Sequence, residues 1–304
     1  MLIAIDHGNK QIKTEGRIFT SGLRESDTQP PFGEDILKYK GKYYTLSDKR
    51  IPYMRDKTGD ERFYILTLFA IAFEIEDTGR YESDAIPVTL LCGLPPAHYG
   101  KQYENFEKYF TRGKIEEFEL HGRKFKIQVN EAISYPQAFA AAMPVFNRIN
   151  EYPKVMVIDI GGFTADYLMI KNGKADLTVC DTLENGVIIL YNQIIDKINS
   201  DLDMLLDESD IDAILKREPN DYNDNVKRIV SETAQIFIFD LFGKLRERGI
   251  DLRSGKTVFV GGGSILLRKQ IEDSGKISSP IFVDKISANA KGYELLYRAS
   301  KVRR

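Results

Sequence analysis

Val155-Met156-Val157-Ile158-Asp159-Ile160-Gly161-Gly162-Phe163-Thr164 is an apolar run that meets a carboxylate and then a double-glycine turn. Four apolar residues in succession read as a strand buried on both faces. The turn after it brings no Cβ at two positions, so its backbone amides are open to close approach. A shorter version of the pattern opens the chain, where Leu2-Ile3-Ala4-Ile5 runs into Asp6-His7-Gly8-Asn9. A third glycine turn comes late: Thr257-Val258-Phe259-Val260 feeds Gly261-Gly262-Gly263-Ser264, and a helical pattern continues to Ile271. Strand, turn and helix in alternation indicate α/β sheets, which place ligands at the carboxyl ends of their strands.

Composition narrows the classes. With 304 residues and 42% hydrophobic side chains, one large or two moderate domains are expected. The 43 Lys and Arg nearly balance the 45 Asp and Glu, which argues against direct binding to nucleic acid or to an anionic membrane. The apolar start meets Asp6 at once, so it reads as a first strand and not as an export leader. The longest apolar run, Phe63 to Phe73, is about eleven residues, well under the roughly 20 that cross a bilayer, and reads as a buried helix. Cys92 and Cys180 lack a CxxC partner or a histidine cluster, so both are expected to be reduced core thiols of a cytoplasmic protein.

Between the glycine turns, Ile36 to Leu46 carries two short runs around Lys40-Gly41-Lys42, a hairpin signal. Asp60 to Asp77 is helical in composition and apolar nearly all round. Ile86 to Cys92 reads as a central strand closed by Gly93-Leu94-Pro95-Pro96, and Gly100 to Phe110 as a helix with core aromatics. Lys124 to Val129 reads as a strand, and Pro136 to Met143 as a helix with proline in its first turn. Tyr152-Pro153-Lys154 reads as the crossing into a second half. There, Gly186 to Ile198 is an amphipathic helix, Asp201 to Asn225 an acidic surface stretch, Ile281 to Val283 a last strand and Ala288 to Lys301 a closing helix.

The chemistry these turns suit is that of a magnesium polyphosphate. Magnesium takes one or two carboxylates beside phosphate oxygens and waters, so Asp6 and Asp159 suffice. Glycine turns let amides approach phosphate, and Thr164 can add a hydroxyl donor. Lys13 lies where a returning strand brings its ammonium beside the first turn. Hydrolysis needs an aligned water, which Gln137 can orient although it cannot act as a base. His7 is expected in a solvated loop, and His98 and His121 in turns.

The order Asp6-x-Gly8 with Lys13, then Pro136-Gln137-Ala138, then Asp159-x-Gly161-Gly162-x-Thr164, then Gly261-Gly262-Gly263 resembles the five-motif ATP site shared by actin, Hsp70 and sugar kinases. Closer still, Gly93-Leu94-Pro95 with His98-Tyr99, Asn185-Gly186-Val187 before Leu190-Tyr191, and Ala288-Asn289-Ala290-Lys291-Gly292-Tyr293 resemble the bacterial actin-like ParM/StbA group. The resemblance implies an ATPase that assembles with its own copies into filaments and segregates plasmid DNA through a DNA-binding adaptor, with no membrane partner. ATP and magnesium are the implied cofactors. By position, Asp6 and Asp159 would hold the metal, and Gln137 and Asp159 would be catalytic. Gly8, Lys13, Gly161, Gly162 and Thr164 would bind the phosphates, with Asp6 and Asn9 among the other cofactor-binding residues. Gly261, Gly262 and Gly263 would contact the adenosine, Gly186 and Ser264 would also be cofactor-binding, and Asn289 to Tyr293 would lie near a hinge. Gln137 stands where actin has glutamine and ParM itself has glutamate, which bears on the hydrolysis rate.

The fold so implied is α/β, with two RNase H-like (actin-like ATPase) domains and a nucleotide cleft between them. The first lobe is expected at about 1–153 plus 288–304 with a subdomain at about 30–85, the second at about 154–287 with a subdomain at about 186–255. A small-molecule kinase or phosphatase of the same superfamily is the alternative, though the sequence places no base beside a substrate pocket. A chaperone-like switch would need a substrate-binding domain after Arg304. The tail Lys301-Val302-Arg303-Arg304 is too short to form an interfacial helix.

Overall fold

The computed structural model describes residues 1–33, 35–79 and 84–302. Residues 34 and 80–83 of the subdomain expected at about 30–85, and Arg303 and Arg304 of the basic tail, lie outside the described residues. The chain divides into two compact units, Met1–Pro144 with Ser287–Arg304, and Val145–Ile286.

In the first unit the opening strand breaks at Ile5 into β1 (Leu2–Ala4) and β2 (Asp6–His7). β2 starts an antiparallel meander with β3 (Gln11–Lys13) and β4 (Ile18–Thr20). The chain then forms β5 (Leu23–Ser26), β6 (Ile36–Tyr39) and β7 (Lys42–Leu46). The β6–β7 turn is the expected hairpin, with Lys40 and Gly41 both at positive φ. α1 (Glu61–Thr78) is capped by the Asp60 carboxylate, which accepts the Arg62 amide, and ends at Gly79 with φ 64°. Its residues Phe63 to Phe73 are all buried, as an all-round apolar helix requires. Each of its large side chains contributes about 1.5–3 kcal/mol of burial.

β8 (Ile86–Leu94), α2 (Pro96–Phe110), β9 (Glu116–Leu120), β10 (Arg123–Pro136) and α3 (Phe139–Ala142) follow. The large sheet runs β1-β8-β10-β9-β6-β7-β5, with β1, β8 and β10 parallel. β10 corrects the reading of a short strand and a helix from Pro136. The strand runs on to Pro136, which pairs with Leu94, and passes an irregularity between Val129 and Glu131. A proline with no N–H suits a strand's last residue as well as a helix's first, and tertiary pairing decides it here. β8 likewise runs through Gly93 and Leu94, where the sequence suggested a turn.

The second unit repeats the plan. β11 (Lys154–Ile160) is buried from Val155 to Ile160 and pairs with β12 (Ala165–Lys171), which pairs with β13 (Lys174–Leu183), both antiparallel. Next come α4 (Val187–Leu202), α5 (Glu208–Lys216), α6 (Asp224–Glu247), β14 (Lys256–Val260), α7 (Gly262–Leu266), α8 (Arg268–Asp273) and β15 (Ser279–Phe282). The sheet order is β13-β12-β11-β14-β15, with β11, β14 and β15 parallel. α9 (Ala288–Val302) returns the chain to the first unit and packs on α3 and β8. In both units, one strand has an antiparallel meander on one side and parallel strands on the other, with an acidic turn at its end. None of the described helices is long and apolar enough to cross a membrane.

Candidate functional site

In the first unit Asp6 starts β2, and the register sets it directly opposite Lys13. Lys13 Nζ lies 3.3 Å from Asp6 Oδ2, with the carboxylate side chain only 4% exposed. Shielding of this degree leaves the pair less screened by salt than a surface pair. The other oxygen, Asp6 Oδ1, accepts a hydrogen bond from Gln137 Nε2 at 2.8 Å, across 131 positions of sequence. Three residues singled out from two motifs therefore form one cluster. Gln137 sits in the turn between β10 and α3 and not on a helix, as the longer β10 dictates.

The rest of the first turn is held from below. Ser21 Oγ donates to the Gly8 carbonyl at 2.6 Å. Asn9 Oδ1 accepts the Met54 amide at 3.3 Å, so that side chain ties the turn to the following segment. His7 is not solvated: it is 1% exposed, stacks on Phe110 with centroids 4.8 Å apart, and bonds Thr67 Oγ1 through Nε2 at 2.9 Å. Burial, aided by the charge of Lys57, pushes its pKa down to about 3 and keeps the ring neutral. Strand alternation sends His7 to the core face once Asp6 takes the other. His98 lies in the first turn of α2, whereas His121 occupies a turn at φ 51° as expected.

In the second unit Asp159 sits near the end of β11 and is 9% exposed. The turn after it closes by a Gly161 amide to Thr164 carbonyl bond of 2.8 Å. Thr164 Oγ1 donates to Asp166 Oδ2 at 3.2 Å, and Thr182 Oγ1 donates to Asp166 Oδ1. Asp166 is the partner that the sequence reading missed. It lies directly opposite Asp159 in the β11–β12 register, which the tight Gly161–Gly162 turn already implies.

The two other glycine motifs close around this turn. A Cβ on Gly186 would come within 2.3 Å of the Gly162 carbonyl oxygen, because the start of α4 docks on the turn. Val187 and Ile188 amides donate to the Gly161 and Gly162 carbonyls at 3.1 and 2.9 Å. Gly261 has φ 86°, and a Cβ there would fall 2.2 Å from Asp159 Oδ1. The Gly261–Gly262–Gly263 turn is thus built against the Asp159 carboxylate, with Ser264 buried behind it. Asp6 and Asp159 are hard oxygen donors, and only a glycine lets the backbone of the third turn pack this closely on Asp159. Taken unit by unit, each carboxylate is the kind of oxygen donor that magnesium accepts beside phosphate oxygens.

A cavity of about 430 Å³ opens in the same unit, lined by Arg217 and Asn220 after α5, Lys227 and Ser231 on α6, and Lys269 and Gln270 on α8. Gln270 is 4% exposed, and its Oε1 has no hydrogen-bond partner among the described residues. α8 continues the helical segment that the third glycine turn begins. The sequence signal for this cavity is faint: a glutamine beside Ile271 on the buried side of a short helix.

Residues 4–139 match the family of actin-like protein N-terminal domains, and residues 157–273 match the C-terminal domain of archaeal MreB-like actin homologues. No curated protein matches the chain. Among solved structures, the archaeal actin homologue Ta0583 in complex with ADP superposes with a TM-score of 0.75 at 18% identity, covering 100% of this chain and 99% of that one. Bacillus thuringiensis ParM with ATP gives 0.71 at 12% identity, covering 99% of each chain. An Alp12 filament gives 0.70 at 15% identity, covering 98% of each. An actin-like family model thus matches within each half, and over its full length the chain shares the fold of these actin homologues.

Proposed function

We propose that the chain is an ATPase in which both acidic turns serve one magnesium nucleotide, and that nucleotide state governs assembly of its copies into filaments. The observation that carries this reading is the cluster in which Gln137 and Lys13 both bond the buried Asp6 carboxylate. Lys13 supplies a point charge for a phosphate oxygen, and Asp6 holds the amide end of Gln137. The Gln137 Oε1 atom is then the acceptor that orients a water for attack, which is the positioning that phosphoryl transfer needs. Asp159, with Gly161, Gly162 and Thr164, serves the phosphate side from the second unit. Magnesium, when bound, neutralises developing charge on the phosphate oxygens.

Gly261 to Ser264 serve the nucleoside, and the cavity lined by Gln270 and Ser231 takes the base, where the unpartnered Gln270 Oε1 suits an exocyclic amino group. The related ParM with ATP, Ta0583 with ADP and Alp12 filament support nucleotide binding and self-assembly. Plasmid segregation through a DNA-binding adaptor fits a chain whose charges nearly balance.

Phosphate release from ATP by the full chain, wild type against Gln137→Ala and Asp159→Asn, tests the reading. We expect magnesium-dependent turnover that falls about a hundredfold in either variant while nucleotide still binds. Wild-type turnover in both variants, or turnover only when a small-molecule acceptor is added, would replace it with a kinase or phosphatase.

A further inference from the structure

We propose that Asn289 is a positioning residue for Gln137, acting through the backbone of Ala138; this rests on the role of Gln137 proposed above. Ala138 has φ 60° and ψ −55°, and the Phe139 amide donates to the Gln137 carbonyl at 2.6 Å. That bond spans two residues, so Gln137-Ala138-Phe139 is a γ-turn of the rarer, strained form, with a non-glycine residue at its centre. Such backbone persists only where the surroundings over-determine it. Three bonds do so here. The Gln137 amide donates to the Leu94 carbonyl at the end of β8 at 2.8 Å. The Ala138 amide donates to Asn289 Oδ1 at 3.2 Å. Gln137 Nε2 then closes the arrangement on Asp6 Oδ1 at 2.8 Å.

Asn289 is 8% exposed and Ala138 is fully buried, so water cannot replace the side chain as acceptor. Asn289 belongs to the first turn of α9, which lies so close to α3 that a Cβ on Gly292 would fall 1.8 Å from the Ala140 carbonyl oxygen. The acceptor is therefore held by a packed helix and not by a mobile loop. Without it, the Ala138 amide would be an orphan donor in a strained turn, and relaxation of that turn rotates Gln137 away from Asp6.

Steady-state ATP hydrolysis by the full chain tests the idea, with thermal unfolding in parallel. Asn289→Ala is expected to lower kcat about tenfold or more while KM for ATP stays within about twofold. Asn289→Asp keeps an acceptor oxygen and should retain kcat within about threefold. Asn289→Ser stays polar but is too short to reach the amide, so it should share the loss and serves if the alanine variant does not fold. In a Gln137→Ala background, Asn289→Ala should remove nothing further, because its effect passes through Gln137. Unchanged kcat in Asn289→Ala and Asn289→Ser while Gln137→Ala is impaired would overturn the proposal, and so would losses that multiply in the double variant. If Gln137→Ala itself turns over at the wild-type rate, the role of Gln137 fails and the proposal falls with it.

Discussion

The two acidic turns occupy the same place in their units yet are partnered in opposite ways. Asp6 opens β2 of an antiparallel meander, just after β1 pairs in parallel with β8, and Asp159 lies near the end of β11, between antiparallel β12 and parallel β14. The residue directly across the meander is Lys13 for Asp6 and Asp166 for Asp159. The first turn carries its counter-charge within the unit, reinforced by Gln137. The second sets like charges opposite each other, an arrangement that is destabilising unless something offsets it. Hydroxyls of Thr164 and Thr182 occupy Asp166, and the glycine edge of Gly261 flanks Asp159. One turn thus sets a cation across from its carboxylate, whereas the other sets a second carboxylate there, with hydroxyls on Asp166 and glycine backbone packed against Asp159.

The largest way to break that contrast is to disturb the packing of Gly261 on Asp159. Gly261→Ala places a Cβ against Asp159 Oδ1 at a positive φ, so we expect a stability loss of about 2–4 kcal/mol in chemical denaturation and loss of nucleotide binding. A native-like denaturation midpoint with full ATP binding would show that the edge is not closed by sterics. Next come the cross-strand residues themselves. Lys13→Met leaves the buried Asp6 carboxylate without its cation and should lower stability by about 1–3 kcal/mol. Asp166→Asn relieves the like-charge pair and should change it by less than about 1 kcal/mol. Equal losses in the two variants would erase the distinction.

A smaller effect separates two histidines of the first unit by pH. His7 has its pKa depressed to about 3 by burial, so the unfolded chain binds its proton first as pH falls below about 6.5. Stability should drop on that side, by about 2 kcal/mol at pH 5, and His7→Phe should flatten the slope. His121 is opposite in sign. Its partial burial acts to lower the pKa, but hydrogen bonds to Asp35 and Glu76 prevail and raise it. Its contribution is present below about pH 6.5 and lost as pH rises through the raised folded value. Its half-exposed setting makes the effect slight, and His121→Gln should remove it from thermal melts taken between pH 6 and 8.

Much of this arrangement was legible in the residues. The β11 run, the Lys40–Gly41 hairpin and the apolar α1 are local signals in which propensity and packing agree. Pro136 was misread because a proline fits both a helix start and a strand end, and only the partner strand β8 discriminates. His7 was placed in solvent because a histidine beside a glycine looks like a loop; its burial depends on Phe110 and Thr67, both distant in sequence. The Gln137–Asp6 and Asn289–Ala138 bonds likewise join segments that no local pattern links, and the Gln270 cavity is formed by three separate helices.

The most direct test of the account is sedimentation with light scattering of wild type and Asp159→Ala, in magnesium with ATP, ADP, GTP or no nucleotide. The account predicts polymer that forms with nucleoside triphosphate and decays in the wild type but persists in the variant. Nucleotide turnover with no polymer at any protein concentration would contradict it and assign the chain to a soluble kinase or phosphatase of the same fold.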